Sequence, residues 1–372
     1  MRADVAFVLP ALAGGGVERV YLDLAGAMAE RGLRVEFILA KAEGPLLDQV
    51  SSGVRVVDLG APRRLRLIRT YGPLVAYLSK ARPRAVVPVW GYLDLVPLSA
   101  AWRVGIPFLW VLHNSLAYFM DVPNALKRGV ALWTARKALR KAVAHSLGRV
   151  AAVSKAVGQE FARFAGVPEG AIHLLPNPIH VDRIRRLAEE ELPIGVRGPY
   201  FLAIGRLHPQ KDFGLLLEAF SFLVNGHPEV QLVILGDGPE RGYLEEVSRQ
   251  LGIRDRVSFL GFVANPYPYL RRAKALVVTS RYEGMPMVAL EALALQVPVL
   301  AVRSRGGLEE ALGNGRFGLI TPRSAEALAD GMRRLLSSSF EWDIASLEEH
   351  LRWFSVDNAL RAYLGVLEQI WR

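Results

Sequence analysis

Apolar, β-branched runs alternate along this chain with stretches whose apolar residues recur every three or four positions, the pattern of buried strands alternating with amphipathic helices. In the first half the strand-like runs are Val5 to Leu9, Val35 to Leu39, Val54 to Leu59, Ala85 to Val89, Pro107 to Leu112, Val150 to Val153 and Ile172 to Leu175. In the second half they are Tyr200 to Ile204, Gln231 to Leu235, Val257 to Leu260, Leu276 to Thr279 and Val297 to Val302. Runs this continuously apolar must be covered on both faces, which parallel sheets wrapped by crossover helices achieve. The pattern therefore predicts an α/β protein with doubly wound, Rossmann-like sheets. Val17, Val20, Leu24 and Met28 mark one face of a helix after the first strand, and Val356 to Trp371 predicts a final amphipathic helix.

With 372 residues the chain is long enough for two such cores. The pattern predicts an N-terminal domain over 1–180, a polar, acidic linker over 181–199 and a C-terminal domain over 200–355. A composition 51% hydrophobic and 22% charged is globular, and the lack of cysteine excludes disulfides and thiolate metal sites. Arg2 and the apolar stretch after it read as a first strand, because Asp4 interrupts any signal peptide. Residues 85–102 are apolar too, yet Pro88, Gly91, Asp94 and Pro97 break the long helix that spanning a membrane needs. A cytoplasmic location is expected.

Charge changes the picture of the first half. Residues 1–180 hold 23 Lys and Arg against 12 Asp and Glu, whereas residues 181–372 hold 23 against 24. Arg63, Arg64, Arg66 and Arg69 form one basic cluster, and Lys127, Arg128, Arg136, Lys137, Arg140 and Lys141 another. The second lies on a predicted helix with the apolar stripe Leu132, Ala135, Leu139 and Val143. Solvated faces are the ordinary reading of such runs; basic residues beside exposed Leu and Trp also suit a peripheral position on the anionic inner face of a membrane. Nucleic acid is a third anionic partner, but no helix-turn-helix, RNP-like or zinc pattern accompanies the charge.

Chemistry concentrates at 275–295, which reads as strand, polar loop and then a helix opened by Pro286. Glu291 sits in that helix among Met287, Val288, Ala294 and Leu295, so its carboxylate is set into an apolar face and needs either a ligand or a cation in the core. Glu283 and Gly284 lie on the loop with Met285, and the N–H groups of Met287 and Val288 at the helix start can receive a phosphate. Upstream, Gly205-Arg206-Leu207-His208-Pro209-Gln210-Lys211 follows a strand; an Arg and a Lys five apart on such a loop can clamp a diphosphate. Asp237 and Phe262-Val263 follow two further strands. In the first half, Ala13-Gly14-Gly15-Gly16 opens a helix, either as a tight turn or as an anion-binding loop, and His113 stands at a strand's carboxyl end, where α/β sheets bind ligands. No Asp-x-Asp pair is present, and no His, Asp and Glu have metal-ligand spacing, so no metal and no cofactor are expected.

Glu283 and Glu291, separated by seven residues, resemble the E-x7-E signature of the retaining glycosyltransferases of family 4, which have the GT-B fold of two domains and an interdomain cleft. The Gly205–Lys211 segment is similar to that family's G-R-L-x-x-x-K. Gly15-Gly16-Val17-Glu18-Arg19 resembles its donor-diphosphate loop, and Pro176-Asn177-Pro178-Ile179 resembles its P-N-G-V segment, with Pro178 in place of glycine. The resemblance implies transfer of a hexosyl unit from a nucleoside diphosphate sugar, UDP-linked, to a hydroxyl of a lipid-linked or cell-envelope glycan with retention. It implies that Arg206 and Lys211 stabilise the departing diphosphate and that Glu291 holds the ribose. It also implies that Glu283 and His113 position the sugar, that Phe262 and Val263 receive the base, and that the last helix, 356–371, crosses back onto the first domain. A nucleotide-sugar epimerase of the same fold is the alternative.

Overall fold

A computed structural model describes residues 2–61, 66–89, 94–122, 124–192, 196, 198–338 and 340–371. Arg63, Arg64 and Gly91 of the sequence reading lie outside them. The chain divides into two compact units, residues 1–178 with 353–372, and residues 179–352.

The first unit is built on seven strands: β1 (Val5–Leu9), β2 (Val35–Leu39), β3 (Val54–Asp58), β4 (Ala85–Pro88), β5 (Phe108–Leu112), β6 (Gly148–Ala152) and β7 (Ile172–Leu174). They pair in the order β3-β2-β1-β4-β5-β6-β7, every pairing parallel. The strand order reverses direction between β1 and β4, the topological switch point at which ligands bind in open α/β sheets. Strands β1, β2 and β5 are buried along their whole length, as continuous apolar runs require. Phe7, Phe37 and Phe108 fill this core, and Tyr21 and Tyr363 are fully buried beside it. Tyr363 comes from the last helix, Val356–Trp371, which packs against the first helix, Gly16–Glu30, and against β4, β5 and β6. Its apolar stripe, Leu360, Tyr363, Val366, Leu367 and Ile370, faces that core.

The second unit repeats the plan with β8 (Tyr200–Ile204), β9 (Gln231–Leu235), β10 (Val257–Gly261), β11 (Ala275–Val278), β12 (Tyr282–Glu283), β13 (Val299–Val302), β14 (Arg305–Gly306) and β15 (Leu319–Thr321). Six of these form a parallel sheet in the order β10-β9-β8-β11-β13-β15, with its switch point between β8 and β11. The remaining two, β12 and β14, pair with each other in register Tyr282↔Arg305 and Glu283↔Gly306. Val181–Leu187, read from the sequence as part of the linker, forms a helix that packs on the helices Tyr267–Arg272 and Met287–Ala294 of the second unit. Its physical reason is Ile184, buried among Asp182, Arg183, Arg185 and Arg186.

Candidate active site

In the second unit the loops leaving β8 and β11 meet at the switch point. Lys211 Nζ lies 2.5 Å from Glu283 Oε1, and Ser280 Oγ donates to the same oxygen at 2.6 Å. Glu283 is buried, and a buried carboxylate needs such partners. The lysine ammonium has three donors, so one bond to Glu283 leaves two for phosphate oxygens.

The two loops are tied to each other through their backbones. Thr279 Oγ1 donates to Lys211 O at 2.7 Å, Arg281 N donates to Gln210 O at 2.8 Å, and Gln210 Nε2 donates to Tyr282 O at 3.1 Å. Arg323 adds a brace, donating to Thr279 O at 2.9 Å, to Ser280 O at 3.1 Å and to Asp212 Oδ2 at 2.8 Å. Burial lowers the guanidinium's pKa, and Asp212 opposes that shift. Asp212 itself has φ 51°, left-handed backbone that turns the chain into the next helix directly after Lys211. Arg206 is exposed on the same loop. It therefore projects into solvent from the loop that also carries Lys211.

Gly306 secures Glu283 from the other side. It has φ +97°, and a Cβ there would stand 1.6 Å from Glu283 O, so only glycine permits the β12–β14 pairing. Gly307 N then donates to Glu283 O at 3.2 Å and to Gly284 O at 3.0 Å. Met285 and Pro286 are buried in this turn. Pro286 caps the helix Met287–Ala294, whose ladder starts with Ala289 and Leu290 donating to Pro286 O, so the N–H groups of Met287 and Val288 precede it. Glu291 is partly exposed on this helix and accepts a hydrogen bond from Tyr267 at 3.2 Å.

The neighbouring loops of the sheet carry the other expected residues. Asp237 caps its own turn through Gly238 N at 2.7 Å, and Leu207 N donates to Asp237 O at 3.0 Å, joining this loop to that of Arg206. Phe262, 62% exposed, follows β10 with Val263 partly buried beside it. A large aromatic left in solvent at a ligand-binding sheet edge offers a stacking face.

In the first unit, the helix after β1 begins at Gly16, with Gly15 as its N-cap, and both glycines are exposed. His113 follows β5, and Tyr21 Oη lies 2.6 Å from its Nε2. Burial drives the imidazole pKa down to about 3, so the ring is neutral. With Asp94, Asn114 and Ser115 it lines a cavity of about 40 Å³, in which Trp110 Nε1 donates to Asp94 Oδ2 at 2.9 Å.

The structure brings Lys211 into contact with Glu283, places Arg206 on the same loop as Lys211, and places His113, Gly15 and Gly16 in the other unit. Ser280, Asp212, Arg323, Tyr267 and Tyr21 escaped sequence reasoning. Only Tyr21 left a signal, because it lies four residues after Val17 and three before Leu24, a hydroxyl on the stripe that packs the core.

Comparison with known proteins places these features. The family described as Glycosyltransferase Family 4 matches residues 14–183, and Glycosyl transferases group 1 matches residues 185–352. Alpha-D-kanosaminyltransferase of Streptomyces kanamyceticus is 30% identical over 247 residues, 63% of this chain and 62% of that protein. A Campylobacter jejuni transferase that adds N-acetylgalactosamine to a diphospho-undecaprenol-linked sugar is 30% identical over 164 residues, 44% of either chain. The matches thus span less than two thirds of the length of these relatives. Among solved structures, Anabaena HepE in complex with UDP and glucose superposes with a TM-score of 0.78 at 21% identity, covering 99% of this chain and 100% of that one. With two parallel-sheet α/β units, and family matches that together run from residue 14 to residue 352, the chain belongs to the GT-B glycosyltransferases of the family 4 type.

Proposed function

We propose that this protein is a retaining glycosyltransferase that moves a hexosyl unit from a UDP-linked sugar to a hydroxyl of a lipid-linked or cell-envelope glycan. The observation that carries the reading is the Lys211–Glu283–Ser280 cluster at the switch point of the second sheet, with exposed Arg206 on the same loop. The group whose charge grows as the glycosidic bond breaks is the departing diphosphate, and cations held ready beside it stabilise such a charge. Arg206 meets it with a planar fork, Lys211 with its two remaining protons, and the N–H groups of Met287 and Val288 with the positive end of a helix. Glu283 holds Lys211 in place, Glu291 accepts from the ribose hydroxyls, and Phe262 and Val263 take the base. Among the described residues no group of three His, Asp or Glu is arranged to hold a metal, and the proposal assigns the charge stabilisation to these cations alone.

Support for the donor comes from the HepE structure, which holds UDP and glucose, and for the acceptor from the undecaprenol-linked substrate named for the Campylobacter relative.

The test is a panel of nucleotide sugars incubated with EDTA-washed protein, with released nucleoside diphosphate measured and the anomer of the first-formed product read by proton NMR. Release of UDP with an axial product from an axial donor, undiminished by EDTA, is the expected result. An inverted product or a strict need for Mg²⁺ contradicts the corresponding part, and a new nucleotide sugar formed without acceptor or UDP release identifies an epimerase instead.

A further inference from the structure

His113 is held on one side by a residue that no motif marks. Tyr21, fully buried on the helix Gly16–Glu30, lies 2.6 Å through its hydroxyl from His113 Nε2, and the two rings meet edge-on with centroids 5.3 Å apart and planes at 74°. Tyr363 of the last helix stands at 90° to Tyr21 with centroids 6.4 Å apart, so the tyrosine is wedged between a sheet end and a second helix. The other ring nitrogen, Nδ1, is buried and meets no protein hydrogen-bond partner.

A neutral imidazole carries one proton, and which nitrogen bears it is set by the bond the other makes. A phenol O–H is a far stronger acid than a neutral imidazole N–H, and an imidazole nitrogen is a better acceptor than a phenol oxygen. Of this pair the Tyr21 hydroxyl is therefore the better donor and Nε2 the better acceptor across the 2.6 Å contact, with the Tyr363 hydroxyl as the competing neighbour of Tyr21. Burial also keeps Tyr21 protonated, well above the ordinary phenol range. With the hydroxyl donating, the ring proton sits on Nδ1, the buried position without a protein acceptor.

We propose that Tyr21 is a positioning residue that locks His113 in the Nδ1–H tautomer, so that the histidine presents a hydrogen-bond donor to a sugar hydroxyl. The sugar half of this statement rests on the proposed function; the tautomer half does not. Because Tyr21 belongs to the helix that starts at Gly15 and Gly16, the same rigid element carries the glycine loop and sets the histidine.

Nitrogen-15 NMR of the full chain labelled at histidine tests it, since the shifts of the two ring nitrogens report which is protonated. The His113 signals, identified by their loss in His113→Gln, should show a single Nδ1–H tautomer. In Tyr21→Phe, which keeps the ring packing, that pattern should give way to Nε2–H or to a mixture. On the UDP-sugar substrate, Tyr21→Phe should lower kcat about tenfold or more with less than about a twofold change in the donor KM, the signature of a group acting on the transition state. An Nε2–H tautomer in the unaltered protein overturns the proposal without recourse to any variant, and so does an unchanged Nδ1–H pattern in Tyr21→Phe. Absence of any sugar turnover while the tautomer behaves as expected overturns the proposed function and leaves the lock intact.

Discussion

Arg206 and Lys211 are set apart by their surroundings. Lys211 is bonded to a buried carboxylate, whereas Arg206 is exposed. Removing one partner of a buried ion pair strands the other and costs roughly 3–5 kcal/mol, while removing an exposed cation costs almost nothing. Both Arg206→Ala and Lys211→Ala should lower turnover by about a hundredfold or more, as lost transition-state charge stabilisation does. Only Lys211→Ala should lower the melting temperature as well. Replacing Lys211 by Met together with Glu283 by Gln should restore the melting temperature but not turnover. Full activity in both single variants would remove the two cations from the mechanism. A second residue-scale case is Glu36, buried on β2, which accepts from Tyr77 at 2.8 Å and has its other oxygen buried without a partner. Burial raises its folded-state pKa above the ordinary carboxylate value, against the opposing pull of Tyr77 and Arg55. A raised folded value favours the protonated form, so this group's contribution to stability is present at acid pH and lost as pH rises through the folded pKa. Glu36→Gln, which cannot ionise, should therefore stabilise the protein at pH 7.5 by roughly 1 kcal/mol and have little effect near pH 4. Thermal melts of both proteins at the two pH values check this, and an equal loss at both would refute it.

The elements that matter most at the site are the smallest. Strands β12 and β14 have two residues each, yet their pairing fixes the backbone of Glu283. Any side chain at Gly306 would collide with Glu283 O and would be forced into a left-handed conformation. Gly306→Ala should consequently displace β12, separate Glu283 from Lys211 and lower turnover at least about tenfold, while the six-stranded sheet, which does not include β14, keeps its circular dichroism spectrum. Wild-type turnover in this variant would show that the β12–β14 pairing does not govern the site. The helix Ala125–Ala144 shows the opposite relation between pattern and role. Its buried face is Ala135, Ala138, Leu139 and Ala142; of the predicted stripe Ala135 and Leu139 are buried, while Leu132 and Val143 are partly buried at its edges. Its outer face carries Leu126, Val130 and Trp133, exposed by 78%, 55% and 57% at helical spacing, with Lys137 Nζ 3.8 Å from the centre of the Trp133 ring.

For the whole molecule, the asymmetry of charge is the property that no single residue shows. Arg136, Lys137, Arg140 and Lys141 are exposed on the same helix as the Leu126–Val130–Trp133 stripe, and Arg69 is exposed on the helix Arg66–Ala81. Among the described residues no helix is long and apolar enough to cross a membrane. We propose that a lipid-linked acceptor would be met by surface attachment through these cations, each contributing about 1 kcal/mol near an anionic bilayer, with salt screening the attraction. Sedimentation with liposomes should show binding that needs anionic lipid and fades at high salt. It should fall when Trp133 is changed to Ala and Arg136 and Lys137 to Gln, with UDP release from the donor in solution unaltered. A protein that ignores anionic vesicles has a soluble acidic acceptor instead, and the membrane reading goes.

Much of this architecture was legible in the chain itself, because a strand covered on both faces must be apolar throughout and a packed helix must repeat its apolar residues every three to four positions. Thus Val5–Leu9, Val35–Leu39, Tyr200–Ile204, Gln231–Leu235 and the helix Val356–Trp371 stand where the pattern places them. The ends of the strands were legible too, and with them the loops that carry Arg206, Lys211, Glu283 and His113. Three things were not. The strands β12 and β14 are two residues long, too short for any period to show. The helix Val181–Leu187 hides in a charged stretch because only Ile184 needs burial. Most of all, Asp212, Arg323 and Tyr21 act through partners distant in sequence, Asp212 and Arg323 being 111 residues apart and Tyr21 and His113 being 92 apart. Local pattern records which face of a residue must be dry; only the folded sheets decide which two side chains that dryness brings within a hydrogen bond of each other.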